Sequence, residues 1–233
     1  MKKTTILFLF IPFLYSCGVQ KAIQQDIDIS VPIEIYDTTT DFVNKTPLNI
    51  SAKAVITNES NQHIKIKTII ENGYVIKNWK YFWAIKYKNN IYFNTLYSKD
   101  MGGATLFVKL DLQGDICSII LDKNTPKAIS VEDHLKSAAY STGGLVGASL
   151  LLTVSSPQYK WKDKHGNEKI IVLIETKFLA PAFGKRKPGA FAYLLNRRNF
   201  KALINEYHIQ TKKKIKELKF EDVMHIVDLL NEK

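Results

Sequence analysis

Residues 80–97 read "KYFWAIKYKNNIYFNTLY", large apolar side chains alternating along two arms that meet at a pair of asparagines. Alternation of this kind is the mark of a strand, and Asn tolerates the positive φ that a tight hairpin turn demands. With Asn89-Asn90 as the loop, Lys88 pairs with Ile91, Tyr87 with Tyr92, and Trp83 opposes Leu96. Tyr81, Trp83, Ile85, Tyr87, Tyr92 and Leu96 then share one face. Phe82, Ala84, Lys86, Ile91, Phe93 and Tyr97 share the other. Aromatic rings on both faces leave two readings. Either both sides are covered, or one is a platform on which Trp83, Tyr87 and Tyr92 stack against a sugar or peptide.

The sequence on either side repeats the device. "SVPIEIYD" (30–37) and "LNISAKAVIT" (48–57) are rich in alternating Ile and Val, and "HIKIKTIIENGYVI" (63–76) carries Asn72-Gly73 as a hairpin turn. "ATLFVKLDLQGDICSIILD" (104–122) reads as a third hairpin about Gln113-Gly114. Three hairpins in succession predict an antiparallel meander. Beyond residue 126 the pattern changes. "SVEDHLKSAAYS" (130–141) has the Ser130 and Asp133 of a capped helix start. "NEKIIVLIET" (167–176) is a continuous apolar run, expected to form a central strand covered on both faces. "KPGAFAYLL" and "RNFKALINEYHI" predict short helices, begun by Pro188 and capped by Asn199. Phe220, Val223, Met224, Ile226, Val227 and Leu230 form an apolar stripe at helical spacing. The expected fold class is α+β: an antiparallel β-meander or sheet, then a Gly-rich helix and a helical C-terminal tail. As a single domain over 30–233 it divides into a β-rich part (30–125), a helical Gly-rich part (126–157), a strand (167–177) and the tail (188–233).

The N-terminus, "MKKTTILFLFIPFLYSCGVQ", has two basic residues, a short apolar run over 6–14, and then Leu14-Tyr15-Ser16-Cys17. Nine apolar residues are too few to span a bilayer as a helix, which takes about 20. The "LYSC" tetrapeptide resembles the lipobox of bacterial lipoproteins. That resemblance implies a signal peptide over 1–16, a diacylglycerol thioether on Cys17 and an added fatty acyl chain such as palmitate. Residues 17–29 are then a tether to the membrane. Cys117 is left as the other cysteine, in a strand-like run that predicts a buried, inert thiol.

The net charge of +11 is concentrated in residues 160–219, which hold 16 Lys/Arg against 5 Asp/Glu. Such a segment suits anionic lipid, lipopolysaccharide or an acidic envelope protein. Lys185, Arg186, Lys187, Arg197 and Arg198 are its candidate contact residues. No recognition motif for nucleic acid accompanies them, and nucleic acid is not expected as a partner.

Catalytic motifs are missing from the sequence. His63, His134, His165, His208 and His225 show no zinc spacing, and neither Cys-x-x-Cys nor G-x-S-x-G occurs. No catalytic residue, metal ligand or cofactor is nominated. "STGGLVGASLLLTVSS" (141–156) lacks the lysine of a P-loop and one glycine of a dinucleotide fingerprint. Its Gly143 and Gly147 permit close helix packing, either onto a sheet or, over 138–156, within a membrane.

Three stretches together resemble a family of Bacteroidota lipoprotein-type proteins with a domain of unknown function. They are "IEIYDTTTDFVNKTPL" (33–48), the "WA…YKNNIYFN" hairpin, and "LLNRRNFKALINEY…LLNEK" in the tail. The resemblance implies no activity. It favours the bacterial cell envelope, with the chain lipid-anchored to the outer membrane and facing the periplasm. The expected function is a non-catalytic binding or structural module. The alternatives are an envelope glycan or peptide hydrolase, and a membrane-interacting protein acting through residues 138–156.

Overall fold

The computed structural model describes residues 20–48, 50–98, 106–122, 157–182, 185 and 187–232. Cys17, Arg186, the signal peptide, the helix expected at 130–141 and the Gly-rich segment 138–156 lie outside the described residues. Among those described, the chain is mostly β. It has thirteen strands in two sheets and four short α-helices, which corrects the expected α+β arrangement.

The first sheet curls into a nearly closed barrel. Its strands are β1 (Gln20–Lys21), β2 (Val31–Pro32), β3 (Glu34–Tyr36), β4 (Ala52–Glu59), β5 (His63–Glu71), β6 (Tyr74–Val75), β7 (Ala84–Tyr87), β8 (Asn90–Asn94) and β9 (Phe107–Lys109). The path runs β4-β5-β9-β8-β7-β3, every neighbour antiparallel. Closure comes from one short segment. Val31 and Pro32 pair with Ala54 and Lys53, whereas Glu34 and Ile35, a step further on, pair with Lys86 and Ile85. The segment 31–36 thus changes partner at Ile33 and leaves few free edges. The barrel is filled by Ile33, Ile35, Ile64, Ile66, Ile69, Ile85, Tyr92 and Phe107, with Trp79 and Phe82 among them. Small barrels are packed in this way rather than hollow.

The second sheet comprises β10 (Ile116–Asp122), β11 (Lys160–Lys162), β12 (Glu168–Ala180) and β13 (Gly189–Leu194). β12 is its centre and pairs with the other three. Ile170, Val172 and Ile174 pack toward the barrel with Trp83, Phe93 and Tyr97. Ile171 and Leu173 pack the other way, onto the helices Arg197–Glu206 and Phe220–Asn231, which carry Phe200, Leu203, Val223 and Val227. A continuous apolar run covered on both faces is what the sequence predicts for 167–177, and the strand forms there. The stripe of the last helix is likewise in place, with Val223, Ile226, Val227 and Leu230 buried.

Four expectations are corrected in detail. The strand at 189–194 replaces the helix expected from Pro188, because "GAFAYL" buries alternate residues, Ala190, Ala192 and Leu194, at the period of a strand. The cap of the helix that follows is Asn196, whose side chain accepts from the Asn199 amide. The chain does turn back about Gln113-Gly114, through the antiparallel bridge Leu112↔Ser118, but β9 and β10 do not pair with each other. β9 pairs with β5 and β8, while β10 belongs to the second sheet, so the chain passes between layers at 110–115. Lastly, the turn of the aromatic hairpin is Lys88-Asn89, with φ of 47° and 64°, and Tyr87 pairs with Asn90. Moving a turn by one residue moves the pairing by two, so the side chains keep their faces. The Lys88 amine lies 2.9 Å from Glu59 and over the Tyr87 ring.

Both faces of that hairpin are covered. Tyr87 and Tyr92 face the barrel interior, and Ala84, Ile91 and Phe93 face the second sheet. Trp83 and Phe82 precede β7 and break the alternation: Trp83 turns to the second sheet and Phe82 into the barrel. The turn Asn72-Gly73 is as expected, with φ of 49° and 80°. Residues 20–28, within the expected tether, lie against the barrel. β1 pairs with β6, Ala22 is buried beside Val55 and Ile70, and Asp26 pairs with Lys67.

Candidate binding cleft

Where β3, β7 and β8 meet the 113–115 connection, the surface opens into a cleft of about 700 Å³. Its wall comes from 33–48 and its far side from the β7–β8 hairpin, so two of the stretches that carry the family resemblance converge here.

The wall is a five-residue helix, Thr39–Val43, held at both ends. At its start the Thr38 amide donates to Asp41 Oδ2 (2.8 Å), and the Asp41 amide donates to Thr38 Oγ1 (3.2 Å). That is a capping box, and T-x-x-D at 38–41 was its sequence signal. At its end the Lys45 amide donates to the Phe42 carbonyl and the Thr46 amide to the Asp41 carbonyl. This pair of bonds needs a left-handed residue at position 45, and Lys45 takes it with a φ of 54°. Pro47 then prevents the helix from continuing. The termination aims Val43 and Lys45 into the opening, where both are exposed. Behind them Phe42 packs edge-on to Tyr36 at 5.7 Å and against Trp83 at 5.0 Å.

The floor is apolar, built from Tyr36, Phe42 and Ile91, and the rim is polar. Lys86 and Glu34 form an ion pair of 2.7 Å across β3 and β7. The hydrogen bond that Lys86 donates to Glu34 raises the Lys86 pKa. Burial, and then the charge of Glu34, raises that of the Tyr36 hydroxyl. At neutral pH Lys86 is therefore positive and Tyr36 protonated. Lys45, Asn89, Gln113 and Asp115 complete the rim. The arrangement offers contact to an apolar group and hydrogen bonds of both polarities around it. Among the described residues no cluster of three or more His, Cys, Asp or Glu could hold a metal ion.

The residues expected to bind from the sequence sit elsewhere. Trp83, Tyr87 and Tyr92 are buried, at 0%, 7% and 3% exposure, so their rings are taken up by core contacts. Trp83 also donates its indole N–H to the Ala190 carbonyl. The basic candidates are not gathered into one patch. Lys185 and Lys187 lie before β13, and Arg197 and Arg198 after it, at opposite ends of a strand roughly 20 Å long. Lys187 pairs with Asp37, Arg197 rests over the Trp161 ring, and Arg198 is exposed. The Cys117 thiol is fully buried, and burial pushes it up to about 12. The cleft was missed because its residues are scattered from 34 to 115 and none belongs to a motif. No family model, curated protein or solved structure matches the chain.

Proposed function

We propose that this chain is a non-catalytic binding module of the bacterial envelope, held to the outer membrane through an acylated Cys17 and facing the periplasm. Its binding surface is the cleft between β3, the Thr39–Val43 helix and the β7–β8 hairpin. The observation that carries this reading is the cleft's composition: an apolar floor ringed by Lys45, Lys86, Glu34 and Asp115. Such a mixture suits a peptide segment that offers an apolar side chain between polar or charged neighbours. The "LYSC" tetrapeptide and the apolar run before it support the anchor.

Two measurements test the two halves. Mass spectrometry of protein from its native membrane should find Cys17 as an acylated N-terminus, and Cys17→Ser should release the chain from the membrane fraction. An intact residue 1–16 segment would overturn the anchor. For the cleft, the probe is an array of peptides from envelope proteins, with binding read by thermal shift. Saturable binding should fall at least ten-fold in Val43→Asp, whose side chain is 46% exposed, with a melting curve checking that the variant is folded. Binding unchanged by that substitution removes the cleft as the site. Cleavage of the peptide during titration would favour the hydrolase reading instead.

A further inference from the structure

Gln20, the first residue of β1, lies three positions after Cys17. A fully extended chain covers at most about 3.5 Å per residue, so β1 starts within about 10 Å of the Cys17 backbone. From Gln20 onward the chain is fixed. Gln20 and Lys21 pair with Val75 and Tyr74 of β6, and the Ala22 amide donates to the Gly73 carbonyl at 2.9 Å. The helix Gln24–Asp28 follows, pinned by Ile27 on the cluster of Ala22, Val55 and Ile70 and by the Asp26–Lys67 ion pair. Residues 20–28 thus belong to the folded body, and of the expected tether only 17–19 precede it.

This edge leaves apolar side chains uncovered. Ile23 is 68% exposed, Ile29 56% and Tyr74 49%, and the first two are the most exposed large apolar residues among those described. Ile23 and Tyr74 adjoin the two ends of the Ala22–Gly73 hydrogen bond. Ile29 closes the helix about 9 Å further on, at a rise of ~1.5 Å per residue. Charge around them is mixed. Lys21 and Lys77 are exposed, Asp28 is exposed as well, and Asp26 is already paired. The patch therefore offers apolar contact without a preference for an anionic surface.

We infer that this edge rests on the lipid bilayer, with Ile23, Ile29 and Tyr74 in its interfacial layer. The inference rests on the Cys17 anchor proposed above and names the face which that anchor presents. The occupant follows from the tether. Acyl chains hold Cys17 at the membrane surface, and a reach of about 10 Å is no more than the diameter of one α-helix, so no folded partner fits between β1 and the lipid. Three side chains alone bind a bilayer weakly, but the anchor makes the contact intramolecular and supplies the effective concentration. The orientation also serves the cleft. Around the barrel the strands follow β5-β9-β8-β7-β3 and return to β5 through β2 and β4. In that ring β7 stands across from β5, the strand to which β6 and β1 are added. With β1 and β6 toward the lipid, the cleft beside β3, β7 and β8 opens away from it.

The test uses the full-length lipoprotein in phosphatidylcholine vesicles, labelled with a polarity-sensitive fluorophore at Ile23→Cys, Ile29→Cys or Tyr74→Cys. Val43→Cys, in the cleft, is the aqueous reference. Cys17 carries the lipid and Cys117 is fully buried, so the label goes to the introduced thiol. Circular dichroism and the melting temperature confirm that each variant is folded, and vesicle flotation reads the anchor separately. In floated protein the labels at 23, 29 and 74 should be quenched by nitroxide-bearing lipid. They should also be shielded from aqueous iodide about three-fold relative to residue 43, as expected of side chains sunk into the interface. High salt should leave both effects unchanged, and Ile23→Asp with Ile29→Asp should return the label at 74 to the aqueous value. Floated protein whose labels at 23, 29 and 74 are as open to iodide as the one at 43 overturns the inference and leaves the anchor standing. Shielding without nitroxide quenching would put protein over the edge and overturn it too, as would loss of the effect in high salt. Protein that does not float removes the anchor and this inference with it.

Discussion

The indole Nε1 of Trp83 donates to the carbonyl oxygen of Ala190 across 3.1 Å, joining the barrel to the second sheet between residues 107 positions apart. Both partners are fully buried. Trp83→Phe removes the donor, strands the Ala190 carbonyl and leaves a gap where the indole was. The expected loss is about 2–4 kcal/mol, as a deleted buried hydrogen bond adds to a small cavity. Gly189→Ala attacks the same junction by crowding Trp83, Thr39 and Tyr97, and should cost about 1–3 kcal/mol. Urea midpoints of the two variants and of the double mutant would check both. The pair should be non-additive, since each relaxes the packing around Trp83.

Asn231, at the end of the last helix, clamps β10. Its Oδ1 accepts from the Ile116 amide at 2.8 Å and its Nδ2 donates to the Ile116 carbonyl at 2.9 Å. Asn231→Ala should cost about 2 kcal/mol and accelerate hydrogen exchange at the Ile116 amide. A Cβ on Gly114 would lie 2.5 Å from Asn231 Oδ1, so Gly114→Ala should displace the clamp and reproduce much of that effect.

Lys45 separates stability from binding. Its left-handed conformation costs an L-residue ~1–2 kcal/mol, against ~0.5–1 kcal/mol for the extra freedom that glycine loses on folding. Lys45→Gly should therefore leave stability unchanged or raise it by roughly 0.5 kcal/mol, while weakening any ligand whose acidic group meets the cleft rim. Thermal melts and peptide titrations of the same variant would show opposite or unequal changes.

The Cys117 thiol gives stability a defined pH dependence. In the unfolded chain it ionises near 9.0, and in the folded protein burial delays ionisation to about 12. Between those values the folded state holds a proton that the unfolded state has released. Stability therefore falls as pH rises through this window, and below it the thiol contributes no slope. Cys117→Ala abolishes this dependence, so the difference in urea midpoint between wild type and variant should shift against the wild type above pH 9.0. Under native conditions at neutral pH a maleimide should not label Cys117, and labelling should appear on unfolding.

How far the sequence foresaw this architecture depends on the range of the interaction. Local periodicity was enough for β4, β5, β7, β8 and β12, for the Asn72-Gly73 turn and for the last helix, because each buries a face that its own residues define. It was not enough where a short segment could satisfy two patterns. "GAFAYL" reads as a helix start after Pro188 until β12 is present to pair with it. The aromatic hairpin shows the same limit: both faces being apolar is plain in 80–97, but whether ligand or protein covers them depends on the second sheet.

From its own residues, then, the chain determined which segments extend, which turn, and that two faces of one hairpin need cover. Alternation and turn chemistry act between neighbours in sequence, so they are written there. Tertiary structure decided that the segment 31–36 closes a barrel, that β9 and β10 part into different sheets, and that Trp83 meets Ala190. It also brought Glu34, Lys45, Lys86 and Asp115 around one cleft. Those are long-range partnerships, selected by which apolar faces can be buried against each other, and no single stretch of sequence contains both halves.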